Sequence, residues 1–456
     1  MADSNVDIMH QYYDNGETRS YDFRKKQLIL LGRALDRWVG ELSQAMYQDL
    51  HKSAAEIYLT ETGFVQAEIK YALSNLSSWM KPVKVSSPLM TFCSSSKVIS
   101  DPWGVALIIA PWNYPLQLLL GPLVGAIAGG NCAVLKPSEL APHTSAVLAK
   151  LIKDTFDARY ITVVEGDGAT IIPQLINNSH FDHVFFTGSV SVGKKVASLT
   201  AAKLIPTVLE LGGKSPCIVD RDVDISVAAK RICWGKFTNA GQTCVAPDYV
   251  LVHESRKDEL VELMKRYLDG FYGGDPYRSP DYGRIISDKR FDQLVSYLSQ
   301  GNVLCGGEYV REDRYIAPTL IDNVDGAHPV MQEEIFGPIL PILTFKEHED
   351  AIQTIKGHLD PLALYLFTTN EKLMQFYEDR VSFGGGCINN TLMHLGNPKL
   401  PFGGVGNSGM GQYHGKYSYQ AYTRPKAILH TAAFPDLAIK YPPYKKSLPF
   451  LKWMTK

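Results

Sequence analysis

Leu28, Leu31, Leu35, Trp38, Leu42 and Met46 recur at three- and four-residue steps, the spacing of one apolar stripe along a helix. A second helix is predicted over 54–79, with Val65, Ile69, Leu73 and Leu76 turned inward. The polar, Ser-rich stretch 81–97 breaks this pattern and suits a hairpin or arm. After it, strand-like runs at 105–110, 132–135, 161–164, 183–187, 206–211 and 216–219 are separated by helix-like stretches at 116–128, 143–156, 169–176 and 192–202. Strands alternating with helices of roughly 10–15 residues specify βαβ units and a parallel sheet. The alternation resumes beyond residue 222, with helices near 223–238 and 255–271 and a strand at 246–253, so a second α/β unit follows the first. No internal repeat or long linker interrupts the chain, and Gly384, Gly385 and Gly386 read as a tight turn.

The run 102–135 holds no charged residue, which is long enough to mimic a membrane span. Pro111, Pro115 and Pro122, with Gly121, Gly125, Gly129 and Gly130, break it into strand, loop, helix and strand, so it reads as core. With 456 residues, 45% of them hydrophobic, the chain can bury a large core across two to four domains of about 100–200 residues each. A net charge of −1 supplies no field to gather nucleic acid, so a nucleic-acid partner is not expected. The seven cysteines include no Cys-x-x-Cys pair, and the first 11 residues lack a charged-then-apolar leader pattern. A reduced, cytoplasmic setting is the expectation.

Five short segments carry candidate chemistry. Phe-Thr-Asn-Ala-Gly-Gln-Thr-Cys at 237–244 reads as a helix end running into a glycine-containing loop that displays Cys244. A thiol nucleophile needs partial exposure and nearby amide dipoles, which such a loop supplies. Cys93, Cys132, Cys217, Cys233, Cys305 and Cys387 read as small buried hydrophobes. In Leu-Glu-Leu-Gly-Gly-Lys-Ser at 209–215, Glu210 ends an apolar strand, where a carboxylate would face a crevice and gain a raised pKa; a strand-end salt bridge would use the same residue. Phe-Thr-Gly-Ser-Val-Ser-Val-Gly at 186–193 follows a strand and opens a helix, which would bring backbone amides against a pyrophosphate, although it is not G-x-G-x-x-G. Pro-Trp-Asn-Tyr-Pro at 111–115 offers an amide as oxyanion donor. Glu-Glu-Ile-Phe-Gly-Pro at 333–338 sets a carboxylate two residues before a ring. Singly, the last two would pass for a turn or a solvated helix end. No His/Cys spacing points to zinc, and the calcium-like series Asp220, Asp222, Asp224 lacks the required Gly and terminal Glu, so no metal is expected.

Taken together and in order, Asn113, Lys136, Glu139, Gly188, Gly193, Glu210, Cys244, Glu334 and Phe336 closely resemble the NAD(P)-dependent aldehyde dehydrogenase superfamily over about residues 57–427. The segments at 389–398 and 401–411 resemble class 3 and fatty-aldehyde dehydrogenases. The resemblance implies an α/β fold: a Rossmann-type cofactor-binding domain (1–80 and 102–209), an α/β catalytic domain (210–422), and a small β oligomerisation arm with the C-terminal tail (81–101 and 423–456). It implies oxidation of an aldehyde to a carboxylic acid through a thiohemiacetal and an acyl thioester on Cys244, with Asn113 and the Cys244 N–H as oxyanion donors and Glu210 activating water. Gly188, Ser189, Val190, Ser191, Val192 and Gly193 would flank the pyrophosphate. Lys136 and Glu139 would meet the adenosine ribose, and Trp112, Glu334 and Phe336 the rest of the cofactor. NAD is expected, with NADP tolerated because class 3 relatives accept both.

Acylating relatives that pass the thioester to coenzyme A lack the hydrolytic glutamate, so Glu210 argues against that alternative. A binding protein with a silent site would not need Cys244, Glu210 and Asn113 together. Tyr114, Trp234, Phe237, Phe383 and Leu392 are candidate walls for a medium or long aliphatic or aromatic aldehyde, with core packing as the competing role. A homodimer is expected from the resemblance. The tail 437–456 carries Lys440, Lys445, Lys446, Lys452 and Lys456 among Tyr441, Tyr444, Phe450 and Trp453, from which at most weak, salt-sensitive peripheral lipid contact is expected and no integral span.

Overall fold

The structure, a computed structural model, describes residues 2–358, 360–436, 441–444 and 448–454. Its centre is a six-stranded sheet whose order, from one edge, is Gly409–Met410, Thr207–Glu210, His183–Thr187, Val105–Ile109, Cys132–Lys136 and Ile161–Val163. All neighbours are parallel except the Gly409–Met410 edge. The chain builds outward from Val105–Ile109 to Ile161–Val163, then returns to the other side through His183–Thr187. The order therefore reverses between Val105–Ile109 and His183–Thr187, and the crevice beyond their carboxyl ends is where an open α/β sheet binds ligand.

A second, seven-stranded sheet runs Asn302–Cys305, Thr319–Asp322, Ile339–Phe345, Tyr249–His253, Pro216–Val219, Ala363–Phe367 and Gly385–Ile388, parallel except at its first strand. The hairpin expected in the polar stretch is present: Val83–Val85 pairs with Ser94–Pro102, and Thr423–Thr431 adds a third antiparallel strand.

The uncharged run is core. Val105–Ile109 and Cys132–Lys136 are buried at every position, as is every residue of the Gln117–Gly129 helix. A helix apolar all round belongs inside a protein or a bilayer, and among the described residues no helix is long and apolar enough to cross a membrane. The long N-terminal helix spans Tyr21–Leu50 with Leu28, Leu31, Leu35, Leu42 and Met46 buried and Trp38 half-buried. The second predicted helix is broken: Ala54–Ile57 passes through a wide π turn, Tyr58–Thr62, into Gly63–Trp79.

Two expectations need correction. Gly385 and Gly386 begin an edge strand instead of forming a tight turn. A Cβ on Gly384 would strike the Gly403 carbonyl, and one on Gly386 the Leu364 carbonyl, so these glycines permit close backbone approach. Of the six cysteines read as buried, only Cys132, Cys217 and Cys233 are. Cys93, Cys305 and Cys387 are half-buried, because they lie in the hairpin region and on the two edge strands of the seven-stranded sheet.

Candidate active site

The carboxyl end of His183–Thr187 runs directly into the expected phosphate loop. Ser189 caps the Val190–Ala201 helix, its Oγ accepting from the Val192 N–H at 3.4 Å, and Ser191 Oγ lies 3.2 Å from Ser189 Oγ. Ser189, Ser191 and Val192 are exposed, so the helix N-terminus faces outward with free N–H groups. Gly193 is buried against Leu211, where a Cβ would sit 2.5 Å from its side chain; this glycine seats the helix on the sheet. Thr187 Oγ1 is buried without a partner at the mouth of the crevice. Two strands over, buried Lys136 donates to the Pro137 carbonyl at 2.7 Å and to Glu139 at 2.9 Å. Burial alone would raise the Glu139 pKa, but hydrogen bonds from its own and the Gly168 backbone and from Lys136 outweigh it and hold the carboxyl below its usual value.

Trp112 and Phe336 meet edge to face with ring centroids 5.4 Å apart, joining two segments more than 200 residues apart in sequence. Two residues before Phe336, Glu334 places its carboxyl in the space a side chain on Gly212 would need. Burial, then the nearby Asp248 charge, push its pKa up to about 8, against Arg290 and a Gly213 hydrogen bond. Lys214, which no sequence argument singled out, anchors this segment: its Nζ binds Asp248 at 2.6 Å and the Val330 and Glu333 carbonyls at 2.9 Å. The residues fit a dinucleotide: helix N-terminal amides, an orphaned hydroxyl, the Lys136-held Glu139 carboxylate, the Glu334 carboxyl and an aromatic pair.

Cys244 ends a strained loop. The Ile225–Phe237 helix stops, and Asn239 (φ 54°), Ala240 (φ 50°) and Gly241 (φ 75°) follow in the left-handed region. A Cβ on Gly241 would collide with the Gly337 carbonyl, so glycine is required there. Gln242 holds the loop from inside: its side chain donates to the Asn239 and Arg284 carbonyls (3.1 and 2.9 Å) and accepts from the Ile286 N–H (3.0 Å). Asn239 and Gln242 stand inside the quoted motif, yet only the fold shows that they lock it. Cys244 is half-buried. Desolvation, then the charges of Glu334 and Glu210, push its thiol well above the usual value, while the Cys244 and Val245 N–H groups approach the sulfur and oppose that.

Asn113 is buried, with Nδ2 donating to the Gln242 carbonyl at 3.0 Å. The oxyanion candidate and the nucleophile loop are thus tied directly together, and no protein acceptor takes the second Nδ2 hydrogen among the described residues. Glu210 ends its strand as expected. Both carboxylate oxygens are buried and unpartnered, and burial raises its pKa well above the usual range. No salt bridge involves it among the described residues, so the strand-end ion-pair role is not the one it plays.

An unpaired buried carboxyl has a measurable consequence. The folded pKa of Glu210 lies above the unfolded one, so the folded state holds the proton more tightly. The favourable contribution is full below the unfolded value near 4.5 and is lost as pH rises toward the folded value. Glu210→Gln, which cannot ionise, should therefore gain in Tm over the parent at pH 8 and gain little at pH 4.5, as a thermal-melt series would read. A Tm difference independent of pH would contradict the raised pKa.

The proposed walls divide. Tyr114 is buried with its hydroxyl 2.6 Å from Thr243 Oγ1, and Trp234 is half-buried. Leu392 is buried, and Phe237 is 1% exposed and belongs to the core. Phe383 lines a separate cavity of about 90 Å³ with Leu364, Met374, Tyr377 and Cys387. Sequence reasoning missed Tyr365 and Tyr413, whose buried phenols lie within electrostatic reach of Cys244. One His/His/Asp group, His10, His180 and Asp182, has its ligand atoms within 4.8 Å of one another. It lies before the first residue of His183–Thr187, at the other end of that strand from the crevice.

The Aldehyde dehydrogenase family pattern matches residues 2–428. The chain is 48% identical over 443 residues to 4,4'-diaponeurosporen-aldehyde dehydrogenase of Staphylococcus aureus, covering 97% of this chain and 96% of that protein. It is 43% identical to the dimeric NADP-preferring aldehyde dehydrogenase of Rattus norvegicus, covering 96% of each. The substrate-bound state of Staphylococcus aureus AldH superposes with a TM-score of 0.97 at 46% identity, covering 99% of each chain.

Proposed function

Because the chain belongs to the aldehyde dehydrogenase family, we propose that Cys244, Glu210 and Asn113 are the residues through which it works. Its activity is the NAD(P)-dependent oxidation of aldehydes to carboxylic acids. The observation that carries the residue assignment is the convergence of a half-buried thiol, an orphaned buried carboxyl and a loop amide hydrogen-bonded across to the nucleophile loop.

Cys244 Sγ bonds to the aldehyde carbon as its proton leaves to solvent, the Cys244 and Val245 N–H groups favouring the thiolate. The carbonyl electrons move onto oxygen, where Asn113 Nδ2 and the Cys244 N–H stabilise them. Each such donor typically lowers the barrier by about 2.7–4 kcal/mol. The oxyanion then collapses and expels hydride, leaving an acyl thioester. Bound NAD(P) supplies the hydride acceptor. Glu210 next takes a proton from water as its oxygen attacks the thioester, and the carboxylic acid leaves with Cys244 restored.

The phosphate loop Gly188, Ser189, Val190, Ser191, Val192 and Gly193, together with Lys136, Glu139, Trp112, Glu334 and Phe336, holds the dinucleotide in this reading. The fixed negative charge of Glu139 disfavours a 2′-phosphate, which supports a preference for NAD with NADP accepted. The phenols of Tyr114, Tyr365 and Tyr413 around Cys244 support a medium or long aliphatic or aromatic aldehyde. The division into 1–80 with 102–209, 210–422, and an arm of 81–101 with the tail from 423 is supported by the six-, seven- and three-stranded sheets, apart from Gly409–Met410, which crosses from the second unit onto the six-stranded sheet.

A homodimer through the arm is supported by its exposed Leu89, Met90 and Phe92, and by the relative named as dimeric. A cytoplasmic setting is supported by seven free cysteines. Of the tail, Leu448–Met454 is a short helix exposing Lys452 and Trp453, which supports only weak peripheral lipid contact; Lys440, Lys445, Lys446 and Lys456 lie outside the described residues.

Asn113→Ala tests the oxyanion assignment: kcat should fall by about 10²–10³ with cofactor Kd unchanged. An unaffected kcat would remove Asn113 from that role.

A further inference from the structure

The loop that presents Asn113 is clamped by an ion pair that no motif marks. Lys52 and Glu61 are each fully buried, with Nζ and Oε1 2.7 Å apart. Lys52 Nζ also donates to the Asn113 backbone carbonyl at 2.8 Å and lies 3.9 Å from the Tyr114 ring centroid. Glu61 Oε2 accepts the N–H groups of Leu116 and Gln117, at 3.0 and 2.9 Å, where the Gln117–Gly129 helix begins. One pair therefore holds both the residue that carries the amide and the helix start that fixes the loop's far end. Glu61 is delivered by the π turn Tyr58–Thr62, the kind of local widening that recurs at functional sites. Asn239 completes the grip, donating from Nδ2 to the same Asn113 carbonyl at 2.9 Å.

A buried ion pair is a poor way to gain stability, since desolvating both charges cancels much of their attraction. Its value lies in directional bonds that an apolar pair could not make. An oxyanion donor must be aimed before charge develops, and a displacement of about 1 Å can cost roughly 10²-fold in rate. We propose that Lys52 and Glu61 are positioning residues for Asn113, setting the aim of its side-chain amide without touching substrate. This rests on the assignment of Asn113 as oxyanion donor.

The test is a double-mutant cycle on the full-length enzyme. Lys52→Met with Glu61→Gln removes both charges of the pair together, so neither of its members is left uncompensated, and keeps an acceptor for the helix N–H groups; the nearby buried Glu56, which loses the Lys52 charge, is expected to hold its proton. The expected result is a fall in kcat of about 10-fold or more with dinucleotide Kd within about 2-fold. In an Asn113→Ala background the same pair of changes should cost less than about 2-fold more, because the amide they aim is gone. A purely structural role would lower activity by the same factor in both backgrounds. Should the double variant not fold, Glu61→Gln alone carries the same cycle. Full kcat in the folded variant, or equal losses in both backgrounds, overturns the positioning role. An Asn113→Ala enzyme with unaffected kcat would instead overturn the oxyanion assignment beneath it.

Discussion

Cys244→Ala should abolish aldehyde oxidation, lowering kcat by on the order of 10⁴-fold or more, while NAD still binds with little change. The size follows from the role: the sulfur forms the bond that converts a poor hydride donor, the aldehyde, into a good one, the thiohemiacetal oxyanion. No other thiol can substitute, because Cys132, Cys217 and Cys233 are fully buried and the remaining three lie in the hairpin and on edge strands of the second sheet. Cofactor affinity should survive, because the phosphate loop follows the His183–Thr187 strand and shares no hydrogen bond with the nucleophile loop among the described residues. Steady-state rates with an aliphatic aldehyde, alongside NAD titration by fluorescence, separate the two effects. Retained turnover would deny Cys244 the chemistry.

Glu210→Gln should produce a different failure. Its carboxyl has no hydrogen-bond partner to lose, so substitution leaves the neighbouring loops in place. What disappears is a base for the hydrolytic water, a contribution typically of 10²–10⁴-fold. Stopped-flow absorbance should show a burst approaching one reduced cofactor per site, followed by a slow steady state. The rising limb of the pH–rate profile, displaced above the ordinary carboxylate range by the buried carboxyl, should vanish in the same variant. A slow steady state without a burst would place Glu210 before hydride transfer, as the base for the thiol.

Much of the fold could be read from periodicity because its core strands are short, apolar and separated by amphipathic helices. His183–Thr187 and Pro216–Val219 coincide with their expected bounds, and most other elements shift by one to three residues. The site was legible where its chemistry is compressed into a few consecutive residues, as around Cys244 and Glu210. It was not legible where partners come together only through the fold. Lys52 and Glu61 belong to no motif, and only the π turn brings one against the other beneath Asn113. Gly384–386 suggested a turn because the carbonyls that exclude side chains there, from Leu364 and Gly403, are distant in sequence. Tyr365 and Tyr413 carried no local pattern at all; the fold alone brings them within electrostatic reach of Cys244.

The central claim is that oxidation passes through an acyl thioester on Cys244 which Glu210 then releases. Intact-protein and peptide mass spectrometry of the Glu210→Gln variant, quenched in acid soon after mixing with NAD and an aliphatic aldehyde, tests it directly. The account predicts one acyl group per chain, on the peptide containing Cys244, in step with one reduced cofactor formed. Reduced cofactor at that stoichiometry with no adduct, or with the adduct on another residue, would contradict it.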